Sequence, residues 1–97
     1  MDDHLAMQDE IRTARACLWN AVKIDRGRRA MEGAIEDADG RLEEALDALT
    51  RGDLVWTRNA LAEALELLRT DEARLIAEDG SALDDAIRHI DRAVLSV

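Results

Sequence analysis

The stretch Leu42-Glu43-Glu44-Ala45-Leu46-Asp47-Ala48-Leu49-Thr50-Arg51-Gly52-Asp53-Leu54-Val55-Trp56-Thr57-Arg58-Asn59-Ala60-Leu61-Ala62-Glu63-Ala64-Leu65-Glu66-Leu67-Leu68 decides the fold. Before Gly52, apolar residues recur at Leu42, Ala45/Leu46 and Leu49; after it they recur at Leu54, Leu61, Leu65 and Leu68. Spacings of three and four put each set on one side of a helix. Gly52 suits the left-handed residue that ends a helix, and Asp53 is a good N-cap for the next. Two helices joined by so short a break fold back on one another.

The same rhythm extends outward in both directions. Met31, Ile35 and Ala38 carry the stripe back from Leu42, and Leu75 and Ile76 extend it beyond Leu68. Met7, Ile11, Ala14, Leu18, Ala21 and Val22 form an N-terminal stripe; Leu83, Ala86/Ile87, Ile90 and Val94 form a C-terminal one. Gly80 followed by Ser81 repeats the stop-and-cap signal, with Asp84 three residues on as in a capping box. The reading is four helices, over 3–26, 28–51, 53–79 and 81–96. A rival reading runs one helix through Gly27 and breaks it at Asp39–Gly40.

Composition agrees. Among 97 residues there are 17 Ala and 13 Leu but no Phe, Tyr or Pro, so helix formers dominate. The length suits one domain over 1–97 with a single modest core. The expected fold class is all-α, a small antiparallel helical bundle of about four helices that is suited to dimerisation. The segment Leu42…Ala45…Leu49-Thr50-Arg51-Gly52-Asp53…Ala60…Ala64-Leu65 resembles the helix-turn-helix core of a tetratricopeptide unit, without that family's aromatic and terminal Pro positions. The resemblance implies an antiparallel helix pair.

Charge narrows the function. A net charge of −9 opposes direct binding to nucleic acid or an anionic membrane. The scarcity of aromatic residues disfavours base stacking or an aromatic cage. No apolar run is long enough to span a bilayer, and the N-terminus is acidic where a secretory leader is basic. One cysteine, Cys17, forms no internal disulfide, which fits a reducing, cytoplasmic setting. Twelve Arg against one Lys point to GC-rich coding, as in bacterial and phage genomes.

The acidic excess is local. Residues 30–50 hold seven acids against Arg41 alone. On a helix, Glu32, Glu36, Asp39, Glu43 and Asp47 fall within about 80° of one another and form a ridge beside the apolar stripe. Their axial spacing approaches that of phosphates along a nucleic-acid strand. A surface whose only task is solubility usually mixes signs. The ridge and the off-stripe Trp19 and Trp56 are therefore the candidate partner-binding residues.

Other candidates carry less chemistry. Lys23, Arg26, Arg28 and Arg29 around Gly27 are read as complements to a helix end or to acids across the bundle. Asp85 and His89 stand one turn apart, but two ligands are too few for zinc. His4 is expected in a frayed terminus, and Cys17, with no base within one turn, is read as a small buried hydrophobe. No metal, cofactor or catalytic group is expected. The chain is read as a non-enzymatic module that binds, and inhibits or regulates, a basic nucleic-acid-binding partner; phage anti-CRISPR and anti-restriction inhibitors are the functional class it is similar to. Two alternatives stay open: a self-associating scaffold, and a small acidic chaperone that holds a client in an apolar groove.

Overall fold

The computed structural model describes residues 3–22, 24–25, 28–29 and 32–96. These form α1 (Asp3–Ala21), β1 (Ile24–Asp25), β2 (Arg28–Arg29), α2 (Gly33–Thr50), α3 (Leu54–Leu68), α4 (Asp71–Ile76) and α5 (Gly80–Leu95). The fold is helical and compact, as the periodicity predicts. The two strands are only a two-rung antiparallel clasp, Ile24 against Arg29 and Asp25 against Arg28.

Two antiparallel helix pairs make up the body. The α2 and α3 helices form a hairpin through Gly52, whose φ of 77° is the left-handed value expected of a helix stop. The Asp53 carboxylate accepts the Trp56 amide at 3.0 Å, as an N-cap should. In the second pair, α1 runs against α5. The Ala21 carbonyl at the end of α1 accepts the amides of Glu78 and Asp79, at 2.8 and 3.2 Å, immediately before α5 begins. Further along, His89 Nδ1 of α5 lies 2.7 Å from Glu10 Oε2 of α1.

Fully buried Met7, Ile11 and Leu18 of α1 meet Ile35 and Leu42 of α2, Leu61 and Leu68 of α3, and Leu83 and Ile90 of α5 in one core. Eleven of the described alanines are buried, which lets the helix axes approach closely. Thr57, the one buried polar residue among those described, donates its hydroxyl to the Asp53 carbonyl at 2.7 Å. Among the described residues, no buried side-chain nitrogen or oxygen lacks a partner.

Several sequence expectations need correction. Helix α1 stops at Ala21 instead of residue 26, because its last carbonyl is taken by the chain entering α5 and the following residues pair as strands. The rival break at Gly40 does not occur; Gly40 lies inside α2. The helix expected over 53–79 is two helices. Thr70 caps α4, accepting the Ala73 amide at 3.2 Å, and Asp71 and Glu72 fill its acidic first turn. This break resets the helical phase, so Ala73 takes the buried place and Leu75, seven residues after Leu68, is 81% exposed. Leu54 is exposed too. At the start of α5 the cap is Asp79, which accepts from Ser81 and Ala82, and Gly80 is the first helical residue. Met31, expected in the core stripe, lies outside the described residues.

Two glycines behave oppositely. Gly33 has a φ of 55°, and an added Cβ there would sit 2.6 Å from Ile76 Cδ1 of α4. Gly40 has nothing within 4 Å of an added Cβ. We expect Gly33→Ala to destabilise the fold by about 1–2 kcal/mol. Gly40→Ala should stabilise it by about 1 kcal/mol. Urea midpoints read both, and equal shifts of the same sign would contradict this account.

Candidate functional site: the acidic face of α2

Residues 33–50 form an unbroken helix, so carboxylates three and four apart in sequence become neighbours on one side of it. Glu36, Asp39 and Glu43 line a single open concavity of about 580 Å³ on this side. Its remaining walls come from Asp37, Arg41 and Glu44 of α2 and from Leu67 of α3, with Gly40 contributing no side chain. Asp37, Arg41 and Glu44 lie off the ridge, and their own spacing of four and three marks a second strip on the flank toward α3. Leu67 joins only because the hairpin brings α3 alongside, a contact no local pattern announces.

The carboxylates are not equivalent. Asp39 accepts from Arg15 Nε at 2.9 Å and from its Nη2 at 3.3 Å, a two-pronged tie between α1 and α2. Its side chain is only 14% exposed, so Asp39 is a structural member of the ridge. That bond raises the Arg15 guanidinium pKa against the opposing pull of burial. Arg41 donates to both Glu44 oxygens, at 3.3 and 3.1 Å, and its Nε lies 3.0 Å from Glu63 of α3. This hydrogen bond to Glu44 is the main reason the Arg41 pKa is raised.

Glu36, Asp37, Glu43 and Asp47 are exposed, and none of them enters an ion pair among the described residues. Four like charges within four helical turns repel by a few tenths of a kcal/mol per close pair. Glu32 is the N-cap of α2, in extended conformation and without a side-chain cap bond. It stands at the end of the helix and, with Asp47, outside the concavity.

The other candidates sit elsewhere. Trp19 on α1 and Trp56 in the first turn of α3 are exposed and do not line the concavity. Trp56 is continuous with exposed Leu54 and Val55 at the tip of the hairpin. Lys23, Arg26 and Gly27 lie outside the described residues, while Arg28 and Arg29 form β2. Asp85 pairs with Arg88 at 2.6 Å, and His89 turns to Glu10, so the two do not form a joint site. No group of three His, Cys, Asp or Glu residues among those described is placed to hold a metal ion. Nor is any described helix long and apolar enough to cross a membrane. Half-buried Cys17 has its thiol pKa pushed up, first by burial and then by nearby Asp85.

No protein family, no curated protein and no solved structure matches this chain.

Two measurements test this geometry. Arg15→Ala and Asp39→Ala should each destabilise by about 1 kcal/mol, with a coupling in the double variant that shrinks at high salt. Purely additive urea unfolding energies would contradict the tie. For Cys17, a raised folded-state pKa means the fold is favoured while the thiol is protonated, and this contribution is lost as pH rises through the thiol range. Alkylation of the native chain should therefore show a higher pH midpoint than alkylation of the urea-unfolded chain.

Proposed function

We propose that this protein is a non-enzymatic interaction module that presents the carboxylate face of α2 to a basic, nucleic-acid-binding protein and inhibits or regulates it. Phage-type anti-CRISPR and anti-restriction inhibitors are the functional class this reading falls in. The observation that carries it is the exposure of Glu36, Asp37, Glu43 and Asp47 with no cation of this chain paired to them among the described residues. Their mutual repulsion is a standing cost in the free protein, and a basic groove relieves it on binding.

Five of the nine arginines whose side chains are described are paired within the chain, two of them to Asp39 and Glu44 of α2 itself. Arg15, Arg41, Arg69, Arg74 and Arg88 all form ion pairs within the chain. What remains on α2 is an acidic surface carried on a rigid helix, the form in which charge steers a partner and sets its register. Gly40 supports the same reading. It weakens the helix interior where packing does not require a glycine, and it leaves room for a partner side chain between the two acidic strips.

The exposed Leu54-Val55-Trp56 turn favours one alternative, a small chaperone that holds a client through apolar contact. The two differ in their response to salt.

Capture from nuclease-treated lysate of the native source tests both. The acidic-face reading expects a nucleic-acid-binding protein that is retained at low salt and released at high salt. Reversing Glu36, Glu43 and Asp47 to Lys should remove that capture while leaving the helical circular dichroism intact. Asp39 is left in place because a Lys there would face Arg15. Capture unaffected by the reversal would overturn the reading, and capture that survives high salt but falls with Trp56→Ala would replace it with the chaperone.

A further inference from the structure

Beside the acidic concavity lies a second hollow of about 440 Å³, lined by Arg41, Glu63, Glu66, Leu67 and Thr70. The two hollows share Arg41 and Leu67, and Arg41 is the one cation that lines either of them. Leu67 packs against the core, whereas Arg41 reaches across to α3. Its Nη1 donates to both Glu44 oxygens, at 3.3 and 3.1 Å, while its Nε lies 3.0 Å from Glu63. A single guanidinium on two carboxylates of two helices is therefore the shared wall.

The hairpin does not depend on that wall. Leu42 and Leu49 of α2 and Leu61, Leu65 and Leu68 of α3 are buried in the common core. By contrast, the side chains of Arg41, Glu44 and Glu63 are 43%, 45% and 55% exposed, so their ion pairs are weak, screened by salt and readily exchanged.

We propose that Arg41 is an autoinhibitory contact, whose guanidinium occupies in the free protein the place that a partner's arginine takes in the complex. When that arginine binds Glu44 and Glu63, Arg41 swings out and the two hollows open into one groove across α2 and α3. This rests on the acidic-face reading of the function and adds to it the group recognised. Glu44 and Glu63 already hold the Nη1 and Nε of one planar fork, a geometry that an ammonium does not reproduce. With Arg41 displaced, the groove presents Glu36, Asp37, Glu43, Glu44, Glu63 and Glu66 without a cation among them. An internal competitor lowers the affinity for an external one in proportion to the time the groove stands open, so a contact made about nine-tenths of the time costs about tenfold.

The test is fluorescence anisotropy of a labelled hexa-arginine peptide titrated with the full chain at low salt, with circular dichroism and urea midpoints to verify folding of each variant. Arg41→Gln should bind the peptide about tenfold more tightly than the unaltered chain. Arg92→Gln, which removes an exposed cation that enters no ion pair among the described residues, controls for net charge and should gain less than about twofold. Adding Glu44→Gln and Glu63→Gln to Arg41→Gln should cancel the gain, and hexalysine should show a smaller one. An Arg41→Gln gain no larger than that of Arg92→Gln would overturn the proposal. So would weaker binding, a gain that survives loss of Glu44 and Glu63, or one as large for hexalysine. These results leave the acidic-face reading standing as long as reversing Glu36, Glu43 and Asp47 to Lys abolishes peptide binding. Binding indifferent to that reversal, or no binding by any of these chains, overturns both.

Discussion

Close helix packing on alanine is the constraint on which the rest of this protein depends. With no Phe or Tyr to fill wide gaps, the core is built from Leu, Ile and Met set between eleven buried alanines. Such a core closes only if the helices come near one another, since a gap as small as a methyl group forfeits dispersion contacts on both sides. Close approach in turn requires short, well-capped connections. Asp53, Thr70 and Asp79 each satisfy backbone amides at a helix start, and Ala21 lends its carbonyl to the entry of α5.

Electrostatics is arranged around that packing. The bonds Arg15–Asp39, Arg41–Glu63, Arg69–Asp91, Arg74–Asp84 and Glu10–His89 each join two different elements at the rim of the core. As partly exposed pairs they contribute modestly to stability, typically about 0–1 kcal/mol each. Their larger consequence is distribution. They draw cations toward the contacts between helices and leave carboxylates on α2 facing outward, so the acidic face follows from how the few positive charges are used as much as from how many negative ones there are.

The long periodic segments were legible in the sequence because burial on one side of a helix writes a three-and-four rhythm that nothing else imitates. Leu42, Leu61, Leu83 and Ile90 are all core residues where the stripe places them. Gly52–Asp53 was legible because a left-handed residue followed by a capping carboxylate is a purely local signal. The misreadings share a cause. Leu75 continues the stripe on paper, but Thr70 and its two following acids start a new helix and rotate the phase. Gly40 resembles a break, yet a glycine inside a helix held by tertiary packing is tolerated.

What the sequence determined by itself is the helical class, the approximate position of each long helix and the excess of acid on residues 30–50. These depend on periodicity, propensity and charge, which are properties of neighbours along the chain. Only the tertiary structure decided that α1 ends at Ala21, that Asp39 is held by Arg15, and that Leu67 lines the same concavity as Asp37 and Glu44. Each of those depends on a group from a distant segment arriving at a particular atom. Composition sets how many acids there are, but which of them remain available to a partner is settled by which arginines the packing brings within reach.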